Sequence, residues 1–201
     1  ADNHEIGLLA SDEGTTVDVS DVVIARTQTG ADGRFGRGVG VQSGAALTLT
    51  RSVLVDNHGA GLFVSGDGTS AEVSDVVIAR TLPRSDGTFG RGVAVESGAS
   101  LTLSRGVLVD NHDLGLFVGA DGTSAEVSDV VIARTLPASD GTGGWGVGVV
   151  QGASLTLSRG VLVDSHDFGL YVANDGTSVE VSDVVIARTL PASDGTGGWG
   201  V

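Results

Sequence analysis

This chain of 201 residues has a formal net charge of −14, and all eleven of its basic residues are Arg. Such an acidic surface repels phosphate backbones and anionic lipid, and no apolar run reaches the length of a membrane span, so neither nucleic-acid binding nor membrane insertion is expected of it. The absence of Cys excludes disulfides and thiolate metal sites.

The first residues already belong to a repeat. Ala1-Asp2-Asn3-His4 aligns with Val55-Asp56-Asn57-His58, and Val201 stops inside a later copy. The octapeptide Ser20-Asp21-Val22-Val23-Ile24-Ala25-Arg26-Thr27 recurs unchanged from Ser74, Ser128 and Ser182, a period of 54 residues. Thr123 to Val147 and Thr177 to Val201 differ only at Ala125 against Val179. A period of this length marks units that bury their apolar faces against copies of themselves. The expectation is a single β-solenoid domain over 1–201, itself a piece of a longer array.

Within each unit a weaker half-repeat predicts three short strands per coil. Leu47-Thr48-Leu49, Val53-Leu54-Val55 and Gly61-Leu62-Phe63-Val64 form one set; Ala71-Glu72-Val73, Val76-Val77-Ile78 and Gly92-Val93-Ala94-Val95 form the next. Each piece alternates with period two and is rich in β-branched residues, and Asp67-Gly68, Asp86-Gly87 and Ser97-Gly98 supply turns between them. The half-units run to about 24 and about 30 residues, the longer carrying a corner loop, and helical periodicity is absent. The plan is a right-handed parallel β-helix of about 7.5 coils. A β-propeller fits less well, since a half-repeat has no reason to exist inside a blade. Period two places Leu47, Leu49, Val53, Val55, Leu62 and Val64 inward in one coil, and Ala71, Val73, Val76, Ile78, Val93 and Val95 in the next. Val23, Leu54, Val77, Leu108, Val131, Leu162 and Val185 then form an outward apolar stripe, expected to be covered by a neighbouring rod or by other segments.

The run Val-Leu-Val-Asp-Asn-His-x-x-Gly-Leu-Phe-Val from Val53, with copies from Val107 and Val161, resembles the repeats of the pectate-lyase-like superfamily, particularly Gly- and Asp-rich arrays in bacterial surface or secreted proteins. The resemblance spans the chain and implies a fold rather than an activity, because that superfamily includes lyases, hydrolases, adhesins and phage proteins. It implies an extracellular or cell-surface location.

Candidate chemistry is repetitive rather than convergent. His4, His58, His112 and His166 recur two positions after Asp2, Asp56, Asp110 and Asp164, but equivalent His residues lie two coils apart, about 9.6 Å, too far to share an ion. The intervening coil is expected to place Thr27, Thr81, Thr135 and Thr189 at that position, and Asn3, Asn57, Asn111 and Ser165 to satisfy corner backbone. The acidic turns at Glu13, Asp67, Asp121 and Asp175 offer one carboxylate every second coil, too few oxygens for calcium. Thr48, Thr102 and Thr156 are interrupted by Asp18, Glu72, Glu126 and Glu180, which spoils a hydroxyl lattice of the ice-binding kind. No catalytic residue, metal or cofactor is assigned.

Two corner rows alternate in charge: Asp21, Arg51, Asp75, Arg105, Asp129, Arg159, Asp183, and Arg26, Asp56, Arg80, Asp110, Arg134, Asp164, Arg188, each Arg lying between two carboxylates. The ligand-binding candidates are aromatic. Phe63, Phe117 and Tyr171 project from the third strand, and Phe35, Phe89, Trp145 and Trp199 sit in or beside the corner loops Gln28–Gly36, Leu82–Gly90, Leu136–Gly144 and Leu190–Gly198. Aromatic faces on a rigid polar rod suit sugar rings or a protein surface. The function expected is a non-catalytic extracellular module, a rigid spacer or binding surface, with polysaccharide or another copy of the chain as partner. The alternative is the non-catalytic part of a polysaccharide lyase or glycoside hydrolase whose active site lies outside this sequence.

Overall fold

A computed structural model describes residues 3–139, 141–191, 195 and 197–200. Asp2, named above with His4, lies outside them, as do Asp140, Ala192–Asp194 and Thr196 of the last two loops. The described residues form no helix. In chain order the first strands are β1 (Ile6–Ser11), β2 (Thr16–Ser20), β3 (Val23–Ala25), β4 (Arg37–Gln42), β5 (Ala46–Thr50), β6 (Val53–Val55) and β7 (Ala60–Ser65). Next come β8 (Ser70–Ala79), β9 (Arg91–Glu96), β10 (Ser100–Val109), β11 (Leu114–Gly119), β12 (Ser124–Ser128) and β13 (Val131–Ala133). The last are β14 (Trp145–Val150), β15 (Ser154–Ser158), β16 (Val161–Val163), β17 (Leu170–Ala173), β18 (Ser178–Ser182) and β19 (Val185–Ala187).

Neighbouring strands all pair in parallel, which a single winding chain achieves by returning to the same face one coil later. One face is the sheet β1-β4-β7-β9-β11-β14-β17. The other two faces are joined into one sheet because β8 and β10 run unbroken across the corner between them. In this joined sheet register partners lie alternately 30 and 24 residues apart, as in Asp18 with Thr48 and Thr48 with Glu72, and in the first sheet 31 and 23 apart, as in Leu8 with Val39 and Val39 with Leu62. The whole Asp/Thr/Glu row follows this register to Glu180.

Inside, like stacks on like. Leu47, Ala71, Leu101, Ala125 and Leu155 occupy one buried column, and Leu54, Ile78, Leu108, Ile132 and Leu162 another. The expected core holds for Leu47, Leu49, Leu62 and Val64 and for all six residues of the following coil. It fails on the middle strand, where Leu54 is 0 % exposed while Val53 and Val55 are only partly buried. The cause is the corner residue. Arg51 has φ of 46°, and every corner equivalent from Asp21 to Asp183 is likewise left-handed. One such residue turns the chain and resets the alternation, so inward residues pass from Leu49 to Ser52 and Leu54, as from Val73 to Val76 and Ile78.

The apolar stripe is corrected by the same step. Leu54, Leu108 and Leu162 belong to the core, and the outward column is Val23, Val53, Val77, Val107, Val131, Val161 and Val185. The Thr register is corrected too: Gln28, Leu82, Leu136 and Leu190 bridge to the His positions, whereas the Thr residues face the Asn column.

Candidate functional site

The corners are where polar side chains do their work. Asn57 is fully buried; its Oδ1 accepts the Thr27 N–H at 3.0 Å and its Nδ2 donates to the Ile24 carbonyl at 3.1 Å. Asn111 repeats this with Thr81 N–H and the Ile78 carbonyl, both at 3.0 Å. Both amides thus satisfy backbone that turns away from the sheets. Ser165, the next copy, buries an Oγ with no hydrogen-bond partner. The His rings stand beside this column, with Nδ1 of His58, His112 and His166 at 3.3, 3.0 and 3.0 Å from the carbonyls of Thr27, Thr81 and Thr135. Among the described residues no group of three or more His, Asp or Glu gathers to hold a metal ion.

The two charge rows stand at their expected corners: six of their Arg residues hydrogen-bond the carboxylate of the preceding coil, and five of these also feel the charge of the carboxylate on the following coil. Arg51 binds Asp21 through Nε and Nη2 at 2.9 and 2.7 Å, Arg105 binds Asp75 at 2.7 and 2.7 Å, and Arg159 binds Asp129 at 2.8 and 2.8 Å. In the second row Arg80 pairs with Asp56, Arg134 with Asp110 and Arg188 with Asp164. Hydrogen bonds from these arginines hold all six carboxyls below the ordinary Asp range.

The loop-bearing face carries the aromatic candidates. Gly40, Phe63, Ala94, Phe117, Gly148 and Tyr171 are register neighbours on its outer side, large alternating with small. Arg37, at the start of β4, lays its guanidinium 3.5 Å from the Phe63 ring centre and 5.1 Å from that of Phe35. Arg91 stacks likewise on Phe117 at 4.1 Å and Phe89 at 4.7 Å, and Arg84 covers Phe89 at 3.6 Å. Phe63 and Phe117 are therefore occupied by cation–π contacts and are not open platforms. In the third copy Trp145 replaces the Arg. It packs 4.4 Å from Tyr171 and edge-on to Phe168 at 5.6 Å, and Phe168 meets Tyr171 at 5.0 Å. Trp199 joins none of these ring contacts and is 60 % exposed.

Residues that sequence reasoning passed over complete this layer. Asp113 accepts Arg91 Nε at 2.9 Å and Asp167 accepts Trp145 Nε1 at 2.9 Å. Phe168 stands where Ala60 and Leu114 stand in earlier copies, a gain in bulk beside the Arg-to-Trp exchange that signalled a changed surface. A cleft of about 290 Å³ opens beside Phe89, Arg91, Glu96, Phe117 and Gln151. Burial, with help from the Arg84 charge and against Glu96, pushes Arg37 down to about 10.

No known protein family matches this chain, and no curated protein does. A solved structure, described as the crystal structure of a TibC-catalysed hyper-glycosylated TibA fragment, aligns over 90 % of this chain and 94 % of its own at 12 % identity. Its TM-score of 0.11 is too low to carry an argument about fold or function.

Proposed function

We propose that the chain is a non-catalytic extracellular module of a bacterial surface or secreted protein. In this reading it is a right-handed parallel β-helix of the pectate-lyase-like kind, about 7.5 coils alternating about 24 and about 30 residues. Its solenoid serves as a rigid spacer, and its loop-bearing face binds polysaccharide. Right-handed winding is what twisted parallel strands joined by crossovers favour.

The observation that supports this most is the segregation of constant from variable. Asn, His and the Asp–Arg pairs recur at fixed corners as backbone and register devices. Side-chain chemistry changes between copies chiefly on the loop face, where Arg37 and Arg91 give way to Trp145 and Trp199. Active sites need unlike groups converging at one place, and evenly repeated groups supply a scaffold instead. The test is a glycan array probed with the protein and with a variant carrying Trp145→Ala and Trp199→Ala. Glycan binding that this variant loses while keeping its β-sheet circular dichroism supports the reading; an absence of glycan binding by the parent protein overturns the binding role.

A further inference from the structure

The middle strands build a face unlike its neighbours. Seven strand segments stack there, from β3 to β19, and each turns two apolar side chains outward. One column is Val throughout, from Val23 to Val185, and six of its members are 37–69 % exposed. The second, one pleat further on, alternates Ala25, Val55 and Ala79 up to Ala187. By contrast, the adjoining face of the same sheet shows Ser100, Thr102 and Ser104 beside Ser124, Glu126 and Ser128, and on the loop-bearing face Phe63 and Phe117 already carry arginines. An apolar strip as long as the rod marks a contact surface.

The charged rows beside the strip identify the partner. On each segment the two corners carry opposite signs: Asp21 with Arg26, Arg51 with Asp56, and so in alternation to Asp183 with Arg188. Turning a second rod half a turn about an axis parallel to its length exchanges its two corners and keeps every strand at its height. Each Asp corner then meets an Arg corner of the other copy on all seven segments. A shift by one strand sets Asp on Asp and Arg on Arg, and so does a fully overlapped antiparallel pair, which lays Asp21 on Asp183. An antiparallel pair slipped by one strand recovers opposite signs but stacks Val column on Val column. The parallel two-fold does better, because the Val column lies two residues from the first corner and three from the second. The turned copy's Val column therefore falls between the Val and the Ala/Val columns, as interdigitating sheets require. The arginines have room for a second acceptor. Six of them grip their own carboxylate through Nε and Nη2, which leaves Nη1, and their side chains are 55–68 % exposed.

We propose that two copies of this chain associate side by side through this face, parallel and in register, about a two-fold axis along the rods. The loops stand on another face, so the pairing leaves the proposed glycan surface uncovered and does not depend on it. The strip between the corner rows measures about 16 Å by about 34 Å, and joining two of them buries about 1,100 Å². That lies at the lower limit for a specific interface, so a pair of this length has a Kd on the order of 10–100 μM. Rods held parallel at matched height point the same way, the arrangement of two spacers rising from one surface and not of two surfaces bridged.

Sedimentation velocity of the chain, from about 1 μM to about 1 mM, is expected to show a monomer–dimer equilibrium. The double variant Val77→Lys with Val131→Lys should raise the dissociation constant at least about tenfold with unchanged circular dichroism, whereas Thr102→Lys on the polar face should not. Orientation is read with a short bismaleimide, since the chain has no Cys. Val23→Cys alone and Val185→Cys alone should each give cross-linked dimers. A mixture of the two variants should add no mixed product, because the two positions lie about 29 Å apart along the rod. If the Lys variant does not fold, the two Cys variants decide. A parent chain that stays monomeric to the highest concentration, or a dimer that the folded Lys variant keeps, overturns the proposal. Cross-linking found only in the mixture overturns the parallel register in favour of an antiparallel pair.

Discussion

Replacing Ser165 by Asn should stabilise the protein. Asn57 and Asn111 each close two hydrogen bonds to buried backbone, at 3.0 to 3.1 Å, whereas the Ser165 hydroxyl is buried and meets no partner. The equivalent groups for an amide at 165 are the Thr135 N–H and the Ile132 carbonyl. Space is already provided, because the residue opposite is Gly in each copy. A Cβ on Gly92 would lie 2.8 Å from Asn111 Nδ2, and one on Gly146 would lie 2.8 Å from Ser165 Oγ. Two restored bonds contribute about 0.5–1.5 kcal/mol each, and relief of the unmet hydroxyl offsets the cost of fixing the longer side chain. The net gain is about 2 kcal/mol, or roughly 4–8 °C in Tm for a chain of this size. Thermal scans followed by circular dichroism check this, with Asn111→Ser as the reverse experiment expected to fall by a similar amount. A Tm for Ser165→Asn equal to or below that of the parent would refute the hydrogen-bond reasoning.

The corrected middle strand predicts that Leu108→Ala costs about 2–5 kcal/mol while Val107→Ala costs under about 1 kcal/mol, read as shifts in urea midpoint; equal costs would restore the opposite parity. The charge rows predict an acid transition. Asp carboxyls depressed by their arginines contribute stability above their unfolded value near 4, and lose it as pH falls through the lower folded value, so Tm should hold down to about pH 5 and drop below about pH 4. In a variant with Arg51, Arg105 and Arg159 all changed to Gln that drop should be shallower, and an unchanged acid profile would count against the rows as its source. Trp145→Ala should lower Tm through lost contact with Tyr171 and Phe168, while Trp199→Ala should leave Tm within about 1 °C; equal losses would show that the exposed Trp199 ring packs as tightly as Trp145.

Much of the solenoid was legible because its units must match their own copies. The alternation of Leu47 and Leu49, the Asp/Thr/Glu row and the Phe63–Ala94–Phe117 column all follow from aligning half-repeats. The middle strand was not legible, because period two assumes extended backbone and Arg51 is left-handed. Asp visits that region readily and Arg does not, so although aligning the half-repeats puts Arg51 at a corner, nothing in Thr50-Arg51-Ser52 announced the left-handed residue that resets the alternation. On the loop face the aromatic positions could be read, but their partners could not. Arg37 and Arg91 stack on rings that are 26 residues away along the chain, and Asp113 reaches back 22 residues to Arg91.

The two charge rows explain why the repeat unit is two coils and not one. A column of identical charges down a corner would repel at every step of about 4.8 Å, so the sign must alternate and the smallest unit that restores it is a pair of coils. All six bidentate Arg residues lean toward the preceding coil. Arg51, Arg105 and Arg159 therefore tie one set of coil interfaces, and Arg80, Arg134 and Arg188 tie the set between them. Together the rows place one bidentate link across each successive interface from the coil of Asp21 to the coil of Arg188. Each pair is exposed and contributes little by itself. Its larger consequence is selective: slipping the stack by a single coil would set Arg against Arg and Asp against Asp along both corners, whereas a slip by two coils restores every pair. A repeat this uniform in its apolar columns needs such a marker, because Leu over Ala and Leu over Leu differ too little to forbid a neighbouring register.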